Sequence, residues 1–144
     1  MAVLSQPVAG FSSEVPANLS DKQVQKRLSS AARKAFFKLA DAWKIRDEEA
    51  KQLLGGISNG AFYQLKGGEV KAPLDQDRLV RVSLLVGIFK ALNTLYSQKL
   101  ADAWISLPNS NPLFAGGTPL AYMVKGGQPA MIRVRQLLDA RRVA

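Results

Sequence analysis

Residues 74–96 read LDQDRLVRVSLLVGIFKALNTLY, and this stretch decides the fold. Asp75 suits the N-cap of a helix, and Asp77 lies in the first turn, where a carboxylate favours the positive end of the helix dipole. Gly87 costs about 1 kcal/mol relative to Ala in mid-helix, which predicts that another helix approaches closely there. Apolar side chains form a stripe wider than that of an ordinary amphipathic helix: Leu79, Val80, Val82, Leu84, Leu85, Val86, Ile88, Phe89, Leu92, Leu95 and Tyr96. The stretch therefore predicts a helix buried on several sides, either wholly in the core or partly in a homodimer interface.

An amphipathic helix is predicted upstream, ending at about Trp43. Ser20 and Gln23 fit a capping box, and Asp21 complements the positive end of the helix. Its apolar residues recur at helical spacing: Val24, Leu28, Ala32, Ala35, Phe36 and Leu39. Its other face carries cations: Lys22, Lys26, Arg33 and Lys34. Residues 1–19 are rich in Ser, Pro, Gly and Ala without sustained periodicity, which predicts a flexible tail.

Two short helices joined by a glycine turn are predicted next. The segment DEEAKQLL, capped by Asp47, ends at Gly55, and the segment SNGAFYQLK, capped by Ser58, ends at a glycine pair. Such a pair is typical of a helix-turn-helix, although Gly56 lengthens the turn and Lys51 replaces the usual small residue. The expected inward-facing residues are Ala50, Leu54, Ile57, Phe62 and Leu65. The pair is thus either a DNA-binding motif or a structural helical hairpin kept for packing.

The second short helix supplies the candidate DNA contacts. Side-chain amides such as those of Asn59 and Gln64 can pair bidentately with adenine in the major groove. Lys66 and Lys71, at and after the end of that helix, suit phosphate contacts. Arg46 and Lys51 are placed to reach the DNA backbone from the first helix. The full candidate set is Ser58, Asn59, Tyr63, Gln64, Lys66 and Lys71.

Composition favours an anionic partner and disfavours catalysis. The 144 residues hold 20 Lys and Arg against 11 Asp and Glu, a net charge of +9, with nucleic acid the leading partner and anionic lipid the second. Residues 20–71 carry 11 cations against 6 acids, and residues 118–144 carry 5 against 1. His and Cys are absent, which removes the commonest general base and metal ligands. We expect no enzyme activity, no cofactor and no metal.

The N-terminus has no basic region of the kind that begins a signal peptide, and no apolar run approaches the roughly 20 residues that span a bilayer. The longest apolar run, Val82–Phe89, is flanked by Arg81 and Lys90. We therefore expect a cytoplasmic protein without a membrane partner.

The C-terminal part begins after Trp104 with a loop rich in Pro, Asn and Gly. Thr118 is a predicted N-cap followed by Pro119 at the first helical position, and the helix PLAYMVK stops at Gly126. Gln128 and a second Pro start the last helix in the same way. Candidate partner contacts in these two helices are Tyr122, Met123, Arg133, Arg135, Arg141 and Arg142, the arginines being either contacts or a solvated face. We find no paired carboxylates, nucleophile with its base, or phosphate-binding loop.

Two stretches together resemble a known family. The segment NPLFAGGTPLAYMVKGGQPAMIRVRQLLDARR (residues 111–142) is similar to the toxin-binding segment of the Xre/MbcA/ParS antitoxins. Residues 74–96 are similar to the central helix of that family, and the helix pair lies upstream, where Xre-like members keep theirs. The resemblance covers about residues 20–144. Gly117 departs from it, since many members carry Lys or Arg there.

The resemblance implies an all-α antitoxin of a RES-Xre type II module. Its partner would be a toxin with a RES domain that consumes NAD⁺, whose cleft is covered by the antitoxin's C-terminal segment. The implied organisation is a tail (1–19), a helix-turn-helix domain (20–72) that binds the module's own promoter as an autorepressor, usually as a dimer, and a helical dimerisation and toxin-binding domain (73–144). The alternative is a stand-alone transcriptional regulator with a C-terminal sensing or dimerisation domain.

Overall fold

A computed structural model describes residues 20–68 and 73–143, and these residues form helices and connecting loops with no strand. The all-α prediction is confirmed. The tail at residues 1–19, the boundary at residue 72 and Lys71 lie outside the described residues. The α-helices are α1 (Lys22–Trp43), α2 (Asp47–Leu53), α3 (Asn59–Lys66), α4 (Gln76–Leu95), α5 (Gln98–Ala103) and α6 (Pro119–Val143).

Helix α4 is the centre of the fold, with α1, α5 and α6 packed against it. Every residue from Val82 to Phe89 is buried within the single chain. The core interpretation of α4 is therefore confirmed, and the single chain leaves little of the α4 stripe for a second copy. A Cβ atom at Gly87 would lie 2.7 Å from the guanidinium carbon of Arg135, so the close approach predicted there comes from the Arg135 side chain of α6.

Two predicted N-caps are wrong by one residue. The cap of α1 is Asp21 rather than Ser20, because the Asp21 carboxylate accepts the Gln23 amide at 2.8 Å. The cap of α2 is Arg46 rather than Asp47, and Glu49 Oε1 accepts the Arg46 amide at 3.1 Å. The predicted caps at Ser58, Asp75 and Thr118 are confirmed, because their side-chain oxygens accept backbone amides.

One buried polar residue joins α1 to the start of α4. The hydroxyl of Ser29, 1% exposed, donates to the Gln25 carbonyl and accepts the Leu74 amide at 2.8 Å. Because both hydrogen-bonding functions are used, the buried hydroxyl carries no unmet desolvation cost. The contact fixes where the chain enters α4.

Helix α6 is bent at Gly127, whose φ of 66° and ψ of −148° are not helical. The break between two C-terminal helical segments is therefore confirmed, and it falls one residue after Gly126. Beside it, Gln128 Nε2 donates to an Asp77 carboxylate oxygen, and Arg81 Nε donates to the same carboxylate at 3.0 Å. Arg81 Nη1 also reaches the Leu53 carbonyl at 3.5 Å, so a single polar cluster joins α2, α4 and the bend of α6.

Candidate nucleic-acid and partner interfaces

The α2–α3 pair has the packing that the sequence predicts. Its inward residues are buried: Ala50, Leu53, Leu54, Ile57, Phe62 and Leu65. The turn uses two positive φ angles, 86° at Gly55 and 76° at Gly56, which suit glycine. On the α1 side, Arg33 donates to the carbonyls of Leu65 and Lys66 at the C-terminal end of α3. A cation there complements the negative end of the helix dipole.

The outer face of α3 is tied to α2 by polar contacts. Tyr63, 50% exposed, donates its hydroxyl to Asp47 Oδ2 at 3.1 Å. Lys66 Nζ donates to the other oxygen of the same carboxylate at 2.8 Å. The hydrogen bond from Lys66 lowers the pKa of Asp47, and the same contact raises the pKa of Lys66. Two of the candidate DNA contacts thus share one acidic partner.

Lys51 lies between the two helices, where helix pairs of this kind usually hold a small residue. Its Nζ contacts Glu48 Oε1 at 2.7 Å and Asn59 Oδ1 at 2.6 Å, and its side chain is only 13% exposed. The hydrogen bond to Glu48 raises the pKa of Lys51. Its alkyl chain therefore fills the space, while its ammonium orients the Asn59 amide. Arg46 contacts Glu49 instead, with Nη2 3.3 Å from Oε2.

The structure places five of the six candidate DNA contacts on or beside one helix, and Lys71 lies outside the described residues. Ser58 is the N-cap of α3, with its hydroxyl 3.3 Å from the Ala61 amide. Gln64 and Asn59 are exposed on the helix itself. The sequence did not indicate the contacts of Asp47 with Tyr63 and Lys66, because those residues are 16 and 19 positions apart.

The loop before α6 is held by short-range hydrogen bonds. The Asn109 amide donates to the Gly117 carbonyl at 3.0 Å across the loop. The Asn109 and Asn111 side chains each accept an amide two residues ahead, both at 2.9 Å. These are the local turns for which Asn is favoured. The loop is therefore a defined connection that sets where α6 begins.

Three aromatic rings continue from that loop into α6. Phe114 packs edge-on against Trp104, with ring centroids 6.1 Å apart, and against Tyr122 at 5.4 Å. Tyr122 is half-buried, and its hydroxyl accepts from Arg133 Nη1 at 3.4 Å. Tyr122 is therefore accessible at its hydroxyl end and fixed by packing at its ring.

The predicted partner contacts in α6 divide into exposed and packed residues. Arg133 and Arg142 are exposed, the latter 3.5 Å from Asp139. Arg135 and Arg141 are half-buried, because Arg135 covers Gly87 and Arg141 donates to the Tyr96 hydroxyl at 3.0 Å.

Met123 was a wrong prediction as a contact, since it is 0% exposed and belongs to the core. Its apolar spacing with Leu120 already placed it on the inner face of the helix. Ile132, which is 41% exposed beside Arg133, was not predicted as a contact. The sequence signal that could have identified Ile132 is an apolar residue that lies off the buried stripe of Met131, Val134 and Leu138.

None of the helices in the described residues combines the length and apolarity needed to cross a membrane. Nor do residues 20–68 and 73–143 bring together three or more acidic side chains in an arrangement that could hold a metal ion.

Comparison with known proteins identifies a curated relative. The chain is 37% identical over 111 residues to the uncharacterized protein y4oB of Sinorhizobium fredii (strain NBRC 101917 / NGR234), which covers 75% of this chain and 81% of y4oB. No protein-family model matches the chain. No solved structure matches it.

Proposed function

We propose that this chain, which belongs to the family of the Sinorhizobium fredii protein y4oB, is a cytoplasmic antitoxin that neutralises a RES-domain toxin. The exposed face of α6 covers the NAD⁺ cleft of that toxin, and the α2–α3 pair binds the promoter of the module as an autorepressor. The observation that carries the proposal is the construction of α6. Its buried apolar residues, which we call the seam of α6, hold the helix on α4. On its outer side, Ile132, Arg133 and Arg142 are exposed.

The physical case rests on pre-organisation. Before any partner binds, α6 is already fixed by the hydrogen-bonded loop that precedes it and by the Thr118 cap. The buried residues Met131, Val134 and Leu138 hold it as well. A surface that is already ordered loses less conformational entropy on binding. An exposed apolar side chain beside arginines has the composition of a protein contact, and guanidinium groups suit acidic groups at the rim of a cleft.

The test is protection of NAD⁺ from a RES-domain toxin, and its first step is to establish whether the neighbouring reading frame encodes one. Truncation at residue 128 is unsuitable, because it removes the core residues Met131 and Leu138. We expect the double variant Arg133→Glu, Arg142→Glu to weaken protection by roughly tenfold or more, since reversed charges at an interface repel. Lys44→Glu with Lys99→Glu is the matched control, changing the same charge at exposed sites outside α6.

Equal protection by the two double variants would rule out α6 as the covering surface. Purification of the chain from its native host supplies an independent check. A RES-domain partner supports the antitoxin, and its absence favours a stand-alone regulator. For the dimer, most of the apolar stripe of α4 is buried within one chain, so we expect a second copy to contact mainly other surfaces.

A further inference from the structure

The exposed side of α1 is a cationic surface that neither interface above uses. It carries Lys22, Lys26, Arg27, Lys34 and Lys38, all exposed, and we call it the α1 cationic face. Within α1 the only acidic residue is Asp41, near its C-terminal end. Its uncharged exposed residues are Gln23 and Ser30, so the face holds no exposed apolar side chain.

These five cations differ from those around the α2–α3 pair. Arg46, Lys51 and Lys66 each contact a carboxylate within 3.3 Å. Among residues 20–68 and 73–143, none of the five on the α1 cationic face has a carboxylate within ion-pair distance. Their charge is therefore fully available to an anionic partner.

The α1 cationic face adjoins α3. Arg33, at the edge of the face, donates to the last carbonyls of α3, and the Phe37 ring lies 5.7 Å from Phe62 of α3. Lys26 precedes Arg33 by two helical turns, which places it on the same side of α1. A partner that contacts the exposed residues of α3 near Lys66 thus meets one edge of the α1 cationic face.

We propose that the α1 cationic face binds the sugar-phosphate backbone of duplex DNA next to the bases that α3 contacts. This proposal rests on the DNA-binding part of the proposed function. Lys22 and Lys38 are about 24 Å apart along a helix that rises 1.5 Å per residue. Duplex DNA presents one charge per about 1.7 Å, so a stretch of that length offers roughly 14 phosphates.

The same geometry disfavours a lipid surface. A helix that binds a membrane interface inserts its apolar face below the headgroups. In α1 that face, with Phe36, Leu39 and Trp43, is buried in the core. A cationic helix face without exposed apolar residues suits contacts to a phosphate backbone.

The test is the salt dependence of DNA binding by the full chain. The α1 triple variant is Lys26→Gln, Lys34→Gln and Lys38→Gln, and the matched control is Lys44→Gln, Lys99→Gln and Lys125→Gln. All six positions are exposed, and both variants lower the net charge of +9 by three. The probes are a duplex of about 30 base pairs from upstream of the gene and a shuffled duplex, titrated between about 50 and 200 mM salt.

We expect the α1 triple variant to lose affinity for both duplexes alike. The slope of log K against log salt is negative, and its magnitude should fall by about 0.9 for each lost phosphate contact, or about 2.7 for three. The control should keep the wild-type slope within about 0.5. Lys→Arg at the three α1 positions should restore the slope, which separates charge from misfolding, and circular dichroism should show the same helix content in every variant.

The outcomes separate this inference from the promoter proposal. An unchanged slope in the α1 triple variant overturns the inference, while preference for the upstream duplex keeps the promoter proposal. Equal affinity for both duplexes, with a slope that still depends on the α1 lysines, supports the inference and overturns the promoter proposal. Equal slope losses in both triples overturn the inference, because net charge alone then explains binding. It is also overturned if wild type binds neither duplex, or if the α1 triple loses only binding to phosphatidylserine vesicles.

Discussion

The α2–α3 pair and α6 present their candidate functional side chains in opposite ways. On α3, Tyr63 and Lys66 are held by hydrogen bonds to Asp47, at the surface. On α6, the exposed arginines stand on a helix fixed by fully buried residues such as Val134 and Leu138. Surface ion pairs contribute little and weaken with salt, whereas core burial contributes several kcal/mol. The side chains of α3 can therefore exchange Asp47 for a phosphate, while the α6 backbone keeps its position.

The largest expected effect is a break in the seam beneath α6. Leu138→Ala removes a side chain that is 0% exposed, and such changes cost about 2–5 kcal/mol of unfolding free energy. The matched change Ile132→Ala, on the same helix but at a 41% exposed position, should stay within about 0.5 kcal/mol. Urea unfolding measures both. Equal losses would mean that α6 is not held by burial.

The seam of α6 was predictable from the sequence because its apolar residues recur at helical spacing. Thr118 and the glycines before Gln128 gave the start and the break of the helix for similar local reasons. Met123 shows a signal that the contact prediction overlooked. Its spacing with Leu120 already placed it on the inner face of the helix, and the structure buries it completely.

Contacts between distant residues account for what the sequence did not predict. The sequence predicts Asp47 as a helix cap, yet it lies in the first turn and accepts from Lys66. The sequence predicts Arg135 as a partner contact, yet its side chain lies over Gly87, 48 positions earlier in the chain. Long, flexible side chains reach partners chosen by the tertiary fold, and periodicity carries no information about them.

The contact between α6 and α4 at Gly87 gives the next effect. Gly87→Leu forces a side chain into space held by the Arg135 guanidinium, which lies 2.7 Å from where a Cβ atom would stand, and overpacking costs about 1–3 kcal/mol. Arg135→Ala should recover part of that loss in the double variant, because it empties the space. Urea unfolding of the four proteins forms a double-mutant cycle. A strictly additive cycle would show that the two sites do not touch in solution.

The turn of the α2–α3 pair offers a smaller effect with an internal control. Gly56→Ala places a side chain at a φ of 76° with no atom within 4 Å, so backbone strain alone should cost about 1 kcal/mol. Gly55→Ala adds a contact of 3.1 Å to Asp77 Oδ2, so it should cost more, about 2 kcal/mol.

Thermal unfolding followed by circular dichroism ranks the two glycine variants. The difference between them reports how firmly the Asp77–Arg81 cluster holds the turn against α4. If Gly56→Ala destabilises the fold more than Gly55→Ala does, the Asp77–Arg81 cluster moves aside at little cost, and other contacts position the turn.

The smallest expected effect is on the pKa of Asp47, the carboxylate that Tyr63 and Lys66 of α3 both contact. Because the hydrogen bond from Lys66 favours its charged form, the pKa of Asp47 should lie below the ordinary value of about 3.9. A lowered pKa means that the contact stabilises the fold above that ordinary value and is lost as the pH falls through the lowered one. Carboxyl titration by NMR measures it. Lys66→Gln should move the pKa of Asp47 up toward the ordinary value.

Lys44→Gln is the control for that titration, since it removes an exposed lysine and leaves Lys66 in place. Added salt should also raise the pKa of Asp47, because exposed charges are screened within about 10 Å at 0.1 M. Both shifts would show that the outer face of α3 is held by a contact that ions can replace, as phosphate binding requires. An Asp47 that titrates normally in the wild type would remove this difference between α3 and α6.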